Sequence, residues 1–244
     1  MDKLVGIPAS PGIGIGRAFV HRIERPQISR RRIPRNKVEA GTERFLNCLV
    51  LVGEEIRRTR RIVELEHGAE LAQIFEAQLA MLQDDQVKGQ TVKNIQTDLV
   101  TAEQAFLETM ERLKEMFGHI ENEYLRARVG DITDIEHQVM ARLAGGELRG
   151  LESVRSNTIV IAHDLLPSEA IQLGRRLVKG LVTDLGGATS HASIIARSLG
   201  LPAIVGTMDA TTAISSGDAV IVDGDAGVAQ IRPKPATERY YQTE

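Results

Sequence analysis

Between Pro34 and Pro167 the chain contains no proline. A proline inside a helix removes a hydrogen bond and clashes with the preceding turn, so this stretch is free to be helical. The segments on either side are instead broken up by proline and glycine. Residues 1–20 run Leu4-Val5-Gly6-Ile7, Ser10-Pro11-Gly12, then Ile13 to Val20, the pattern of two short strands joined by a turn. From about 34 to 147 apolar residues recur at three- and four-residue intervals, as in Phe45, Leu49, Val52, Ile56 and in Leu71, Ile74, Phe75, Gln78, Leu79, Leu82, which is a helical stripe. Thr101 followed by Gln104 marks a capping-box start. Another helix is expected from about Asn122 to Leu143, closed by Gly145-Gly146. Four or five such helices with short links make a bundle.

Beyond about residue 150 the short units return. Strands are expected at Thr158 to Ala162, Gly180 to Thr183, Ala203 to Val205, Ala219 to Val222 and Val228 to Ile231, with short helices at Ser168 to Leu173 and at 190–199. The strands of the first 20 residues find partners only here. The expected fold class is therefore α/β plus all-α. Residues 1–21 and 149–234 build one α/β domain, residues 34–147 form an inserted helical bundle, and 235–244 begin a linker.

The composition narrows the function classes. A net charge of -3 over 244 residues provides no field for nucleic acid or an anionic membrane. The short run Arg30-Arg31-Arg32 reads as a solvated linker. With no Trp, 3 Tyr and 5 Phe, there is no stacking platform for single strands. Cys48 is alone, which excludes an internal disulfide, and its spacing with Phe45 and Val52 reads as packing. No apolar run or leader pattern is present, so a cytoplasmic protein is expected.

Chemistry concentrates in Gly186-Gly187-Ala188-Thr189-Ser190-His191-Ala192-Ser193-Ile194-Ile195-Ala196-Arg197. Following a strand, the glycines permit close backbone approach. The helix start offers unpaired N–H groups and partial positive charge, which suit a phosphoryl group. Thr189 and Ser190 supply hydroxyls for capping or for a phosphate oxygen. The positive end disfavours imidazolium, leaving His191 a neutral nucleophile. Arg197 brings a charge that could offset a dianion.

This run resembles the phosphohistidine signature of the phosphoenolpyruvate-utilising enzymes. Three further stretches resemble the enzyme I family of the bacterial phosphotransferase system: Gly6-Ile7-Pro8-Ala9-Ser10-Pro11-Gly12-Ile13-Gly14-Ile15-Gly16-Arg17-Ala18, the stretch from Glu123 to Ile135, and Ser198 to Gly206. The resemblance spans the chain but only the N-terminal half of that family. It implies a mechanism. A C-terminal barrel outside this chain binds phosphoenolpyruvate with Mg²⁺ and phosphorylates the histidine matched by His191. The phosphate then passes to a histidine of the carrier HPr, docked on the helical domain. No cofactor is implied for this part, which is expected to be a monomer from a homodimeric parent. By the same resemblance Glu70, Ile74, Glu76, Gln78, Met81, Tyr124, Leu125 and Arg128 contact HPr. The motif from Gly187 to His191 resembles the sugar branch more than the nitrogen-regulatory one. A family threonine near the histidine is replaced by Ala170.

Independently of the family, Glu64, Glu66, Glu70, Glu76, Asp84 and Asp85 stand between Glu64 and Val87 with no intervening Lys or Arg, an acidic strip suited to a basic partner. Two other readings compete: the swivelling domain of a pyruvate-phosphate dikinase or phosphoenolpyruvate synthase, and a carrier-binding module without chemistry. Other motifs carry less. Gly12-x-Gly14-x-Gly16 precedes strand-like residues, not the helix a dinucleotide site needs. His163-Asp164 lacks neighbouring metal ligands and reads as a loop hydrogen bond. His21, His67, His119 and His137 read as surface residues.

Overall fold

The computed structural model describes residues 3–22, 31–119, 123–145, 151, 154, 156–174 and 178–243. The chain divides into two compact units, Met1–Ile23 with Gly150–Glu244, and Glu24–Arg149.

The first unit is built on one eight-stranded sheet with the order β1-β8-β7-β3-β4-β5-β6-β2. Its strands are β1 (Lys3–Val5), β2 (Ile7–Ser10), β3 (Ile13–His21), β4 (Thr158–Ala162), β5 (Gly180–Thr183), β6 (Ala203–Val205), β7 (Ala219–Asp223) and β8 (Val228–Ile231). The opening residues give three strands where sequence predicts two. The extra break falls at Gly6, whose N–H donates to the Gly227 carbonyl at 2.9 Å. A Cβ on Gly6 would lie 2.6 Å from the Val205 carbonyl oxygen, so no larger residue fits there. β1 pairs with β8 and β2 with β6, at opposite edges of the sheet. β3 lies between them, antiparallel to β7 through its first half and parallel to β4 through its second.

β4, β5 and β6 run parallel. Each is buried at every position, the continuous apolar pattern of strands covered on both faces. Ile159, Ile161, Val182, Ile204, Val220 and Val222 form the core with Ala210 and Ile214. The connecting helices are α6 (Pro167–Gly174), α7 (His191–Ser198), α8 (Ala210–Ala213) and α9 (Pro235–Thr243). Sequence reading anticipates neither of the last two. α9 occupies the expected linker, and Pro235 stands at its first position, where a missing N–H costs nothing.

The second unit contains α1 (Val38–His67), α2 (Ala69–Gln83), α3 (Asp85–Asp98), α4 (Ala102–Gly118) and α5 (Glu123–Leu143). Single residues separate the first three: Gly68, at a φ of 91°, and Asp84, whose carboxylate accepts from the Gln86 N–H at 2.7 Å. Thr101 caps α4 by accepting from the Gln104 N–H at 3.3 Å. Gln104 does not close the box; its amide donates to Glu108 at 3.0 Å.

Phe45, Val52, Phe75, Phe106, Met110, Ile132 and Val139 are buried in this unit, with the Phe45 and Phe106 rings 5.6 Å apart. Each large side chain so buried contributes about 1.5–3 kcal/mol. Cys48 packs as its spacing implies: its Sγ lies 3.6 Å from the Val139 carbonyl, and burial pushes the thiol up to about 11. Polar side chains enter the interior too. Asp134 accepts from Gln78 at 2.9 Å and from Gln138 at 3.0 Å.

Candidate functional site

His191 is the first residue of α7 and is half-buried, so the ring is not sealed in apolar packing. Three side chains fix the turn in front of it. Ser190 is the N-cap, accepting from the Ser193 N–H at 3.3 Å. The fully buried Ser193 donates its hydroxyl to the Gly187 carbonyl at 2.7 Å and lies 3.1 Å from the Ser190 Oγ. Arg197 donates to the Ala188 carbonyl and to the Ala9 carbonyl, both at 2.9 Å.

The guanidinium therefore ties the histidine turn to β2. Thr189, two residues ahead of His191, is exposed. Gly186 takes a φ of 108°, in the region that favours glycine, and a Cβ there would sit 3.0 Å from the Ser190 Oγ. Gly187 opens onto free space, with nothing within 4 Å of a built Cβ. Ser193 is the residue sequence reading passes over; its signal is the Ser190-x-x-Ser193 spacing across a helix start.

Parallel strands carry this turn to one rim of the sheet. His21 on β3 is level with Ala162 on β4, and Ala162 is level with Thr183 on β5. His163-Asp164, Asp184 and the Gly-Gly turn follow directly, at the carboxyl ends where open α/β sheets bind ligands. His163 makes the loop hydrogen bond its context predicts, with its Nδ1 3.0 Å from Asp184. His21 departs from expectation. It is buried, with its Nε2 2.9 Å from Glu169, because β3 turns its last side chain inward onto α6. His119 is exposed as expected, His137 is half-buried, and the His67 side chain lies outside the described residues. Ala170 on α6 is fully buried.

The carrier-contact residues implied by resemblance separate into three groups. Ile74 and Met81 are half-buried on α2, and Glu76 is exposed. Gln78 is fully buried and bonded to Asp134, so it belongs to the interior and is withdrawn from the contact set. The side chains of Glu70, Tyr124, Leu125 and Arg128 lie outside the described residues. The acidic strip is less one-sided than its sequence. Arg60 reaches Glu76 at 2.8 Å and Glu64 at 3.9 Å, and Lys88 lies 3.5 Å from Asp85.

Among the described residues, no three His, Cys, Asp or Glu side chains are grouped to hold a metal ion. No helix among them is long and apolar enough to cross a membrane.

With this fold and rim in view, the chain belongs to the PEP-utilising enzymes: residues 5–128 match the family's N-terminal description and residues 154–227 its mobile-domain description. Within that family it resembles the N-terminal part of enzyme I. It is 38% identical over 242 residues to the phosphoenolpyruvate-protein phosphotransferase of Bacillus subtilis (strain 168), covering 99% of this chain and 42% of that protein. The chain thus spans less than half of that relative. A solution structure of Enzyme I matches with a TM-score of 0.76 at 36% identity, over 98% of this chain and 97% of that one. The N-terminal domain of the nitrogen Enzyme 1 shares the fold, with a TM-score of 0.63 at 23% identity and 98% coverage of both chains.

Proposed function

We propose that this chain is a phosphoryl shuttle. His191 accepts a phosphoryl group derived from phosphoenolpyruvate and delivers it to a histidine of an HPr-type carrier. The supporting observation is a half-exposed imidazole opening α7, behind a turn locked by Ser190, Ser193 and Arg197.

In this reading the lone pair of a neutral His191 nitrogen attacks phosphorus. The donor's bond to phosphorus breaks, and its electron pair leaves with the donor. Delivery to the carrier is the same step reversed, so positioning and charge stabilisation matter more than proton abstraction. Gly186 and Gly187 keep the approach open, and Thr189 and Ser190 offer hydroxyls to the phosphoryl oxygens. Arg197 holds the turn through Ala9 and Ala188, and its charge lies along the same helix. Phosphoenolpyruvate and Mg²⁺ are assigned to a part of the parent enzyme outside this chain. For carrier docking we assign Ile74, Glu76 and Met81 on α2, with Glu70, Tyr124, Leu125 and Arg128 retained from the family resemblance.

The test is exchange with phosphorylated HPr, followed by intact mass. The wild type gains one phosphoryl group, and His191→Ala gains none. Acceptance by His191→Ala at the wild-type level overturns the assignment. Undiminished HPr binding without any acid-labile phosphate would make the chain a docking module. Exchange with an ATP-dependent phosphoryl donor domain, and not with HPr, would place it with the dikinases.

A further inference from the structure

The carbonyls of Gly187 and Ala188, on the way to His191, are both occupied. The Gly187 oxygen accepts from the Ser190 N–H at 3.0 Å and from the Ser193 hydroxyl at 2.7 Å. The Ala188 oxygen accepts from Arg197 at 2.9 Å. Two donors use both lone pairs of the Gly187 oxygen, and one of them belongs to a fully buried side chain, Ser193. That carbonyl therefore faces the interior. Turned outward instead, it would repel an incoming phosphoryl dianion.

Counting hydrogens orders the two hydroxyls behind it. The Ser193 Oγ carries one hydrogen, and a carbonyl can only accept, so that hydrogen belongs to Gly187. The Ser190 Oγ lies 3.1 Å from the Ser193 Oγ, and only Ser190 has a hydrogen left to give across that gap. The same Ser190 oxygen accepts from the Ser193 N–H at 3.3 Å. The result is a directed relay, from Ser190 to Ser193 to Gly187, that leaves Ser190 without a spare donor. Glycine keeps room for it: a Cβ on Gly186 would stand 3.0 Å from the Ser190 Oγ.

We propose that Ser193 is a positioning residue for phosphoryl transfer at His191, and that the Ser190 hydroxyl it holds is a switched donor. This rests on the shuttle reading above. With the ring unmodified, the Ser190 hydrogen is directed at Ser193. When the P–N bond forms, a dianion arrives one residue away, and its oxygens outcompete a neutral hydroxyl for that hydrogen. The hydrogen swings about the Ser190 Cβ–Oγ bond; no covalent bond to it breaks, and no proton is gained or lost. Ser193 stays on Gly187 throughout, so the turn keeps its shape while one donor changes partner. Delivery to the carrier returns the hydrogen to Ser193. Ser193 itself never touches phosphorus; it acts through Gly187 and Ser190.

Two variants decide the matter. In Ser193→Ala the maximal rate of exchange with phosphorylated HPr should fall by about tenfold, at an unchanged half-saturating HPr concentration. A wild-type rate overturns the positioning role. In Ser190→Ala the exchange equilibrium should move away from the phosphoprotein by about fivefold, because the bond lost is stronger in the phosphorylated state. An unmoved equilibrium overturns the switched donor. Amide hydrogen exchange gives a readout without phosphate. The Ser190 N–H shares its acceptor with the Ser193 hydroxyl, so in Ser193→Ala it should exchange faster while β4, β5 and β6 keep their protection. Equal exchange of Ser190 overturns the brace. Should the wild type accept no phosphate at all, the shuttle reading and the switched donor fall, while the Ser190 amide still passes judgement on whether Ser193 shapes the turn.

Discussion

The two units handle buried polarity in opposite ways. In the helical unit it is scattered through the interior: Gln78, Asp134 and Gln138 bridge α2 and α5, while Thr91 meets Thr109 at 3.2 Å between α3 and α4. Some of its atoms, the Gln78 Oε1, Gln104 Oε1 and His137 Nδ1, have no hydrogen-bond partner among the described residues. In the α/β unit the sheet centre is apolar, and the buried ionisable groups are drawn to one rim, where Glu169 meets His21 and Asp184 meets His163. Dispersed polarity specifies which helix packs on which, at some cost in stability. Polarity gathered where parallel strands end makes a site.

That contrast can be broken, beginning where the most stability is at stake. Phe106→Ala empties the ring partner of Phe45 and should cost the helical unit about 3–5 kcal/mol. Cys48 reports the loss. With its thiol held at about 11 by burial, it stays protonated and resists alkylation at pH 8 in the wild type. In the variant it should label as the unit opens. Equal labelling of both proteins would remove the claim that this core is the unit's keystone.

Next comes Gly14→Ala in β3, where a Cβ would lie 2.1 Å from the Lys179 carbonyl oxygen. A loss of about 3 kcal/mol is expected. Reduced amide protection should appear in β3, β4 and β7 and leave α1 to α5 untouched, as hydrogen exchange will show.

Glu169→Ala strands a buried imidazole at His21 and should cost about 3 kcal/mol. Because His21 and Glu169 stand on the rim, it should also slow phosphoryl acceptance; loss of stability with acceptance unchanged would separate rim packing from chemistry. Thr101→Ala matters least. Losing the α4 cap should lower stability by about 1 kcal/mol in chemical denaturation.

The helical unit was readable from periodicity because its contacts repeat every three or four residues. Gln78 shows how far that goes. It falls in the stripe Leu71, Phe75, Gln78, Leu82, and spacing alone places it inside with those three. The family resemblance placed it at a partner surface, and the geometry sides with the spacing. The turn around His191 was readable for a different reason, since glycine, cap and nucleophile are all local. The rest of the rim was not, because its bonds join residues far apart in sequence. His21 and Glu169 are 148 residues apart, and Thr211 and Asp184 are 27 apart. α8 has four residues, too few to show a period.

The placement of β1, β2 and β3 has a consequence for synthesis. The three strands that precede the helical insertion supply both margins and the middle of a sheet whose other strands follow that insertion in the chain. Those three strands must wait, unpaired, while more than a hundred residues of helical insertion are made and fold ahead of them. A pause or truncation before β8 therefore leaves β1 without a neighbour and an adhesive border uncovered. Quality control that senses such a border would discard incomplete chains whose helices are already sound.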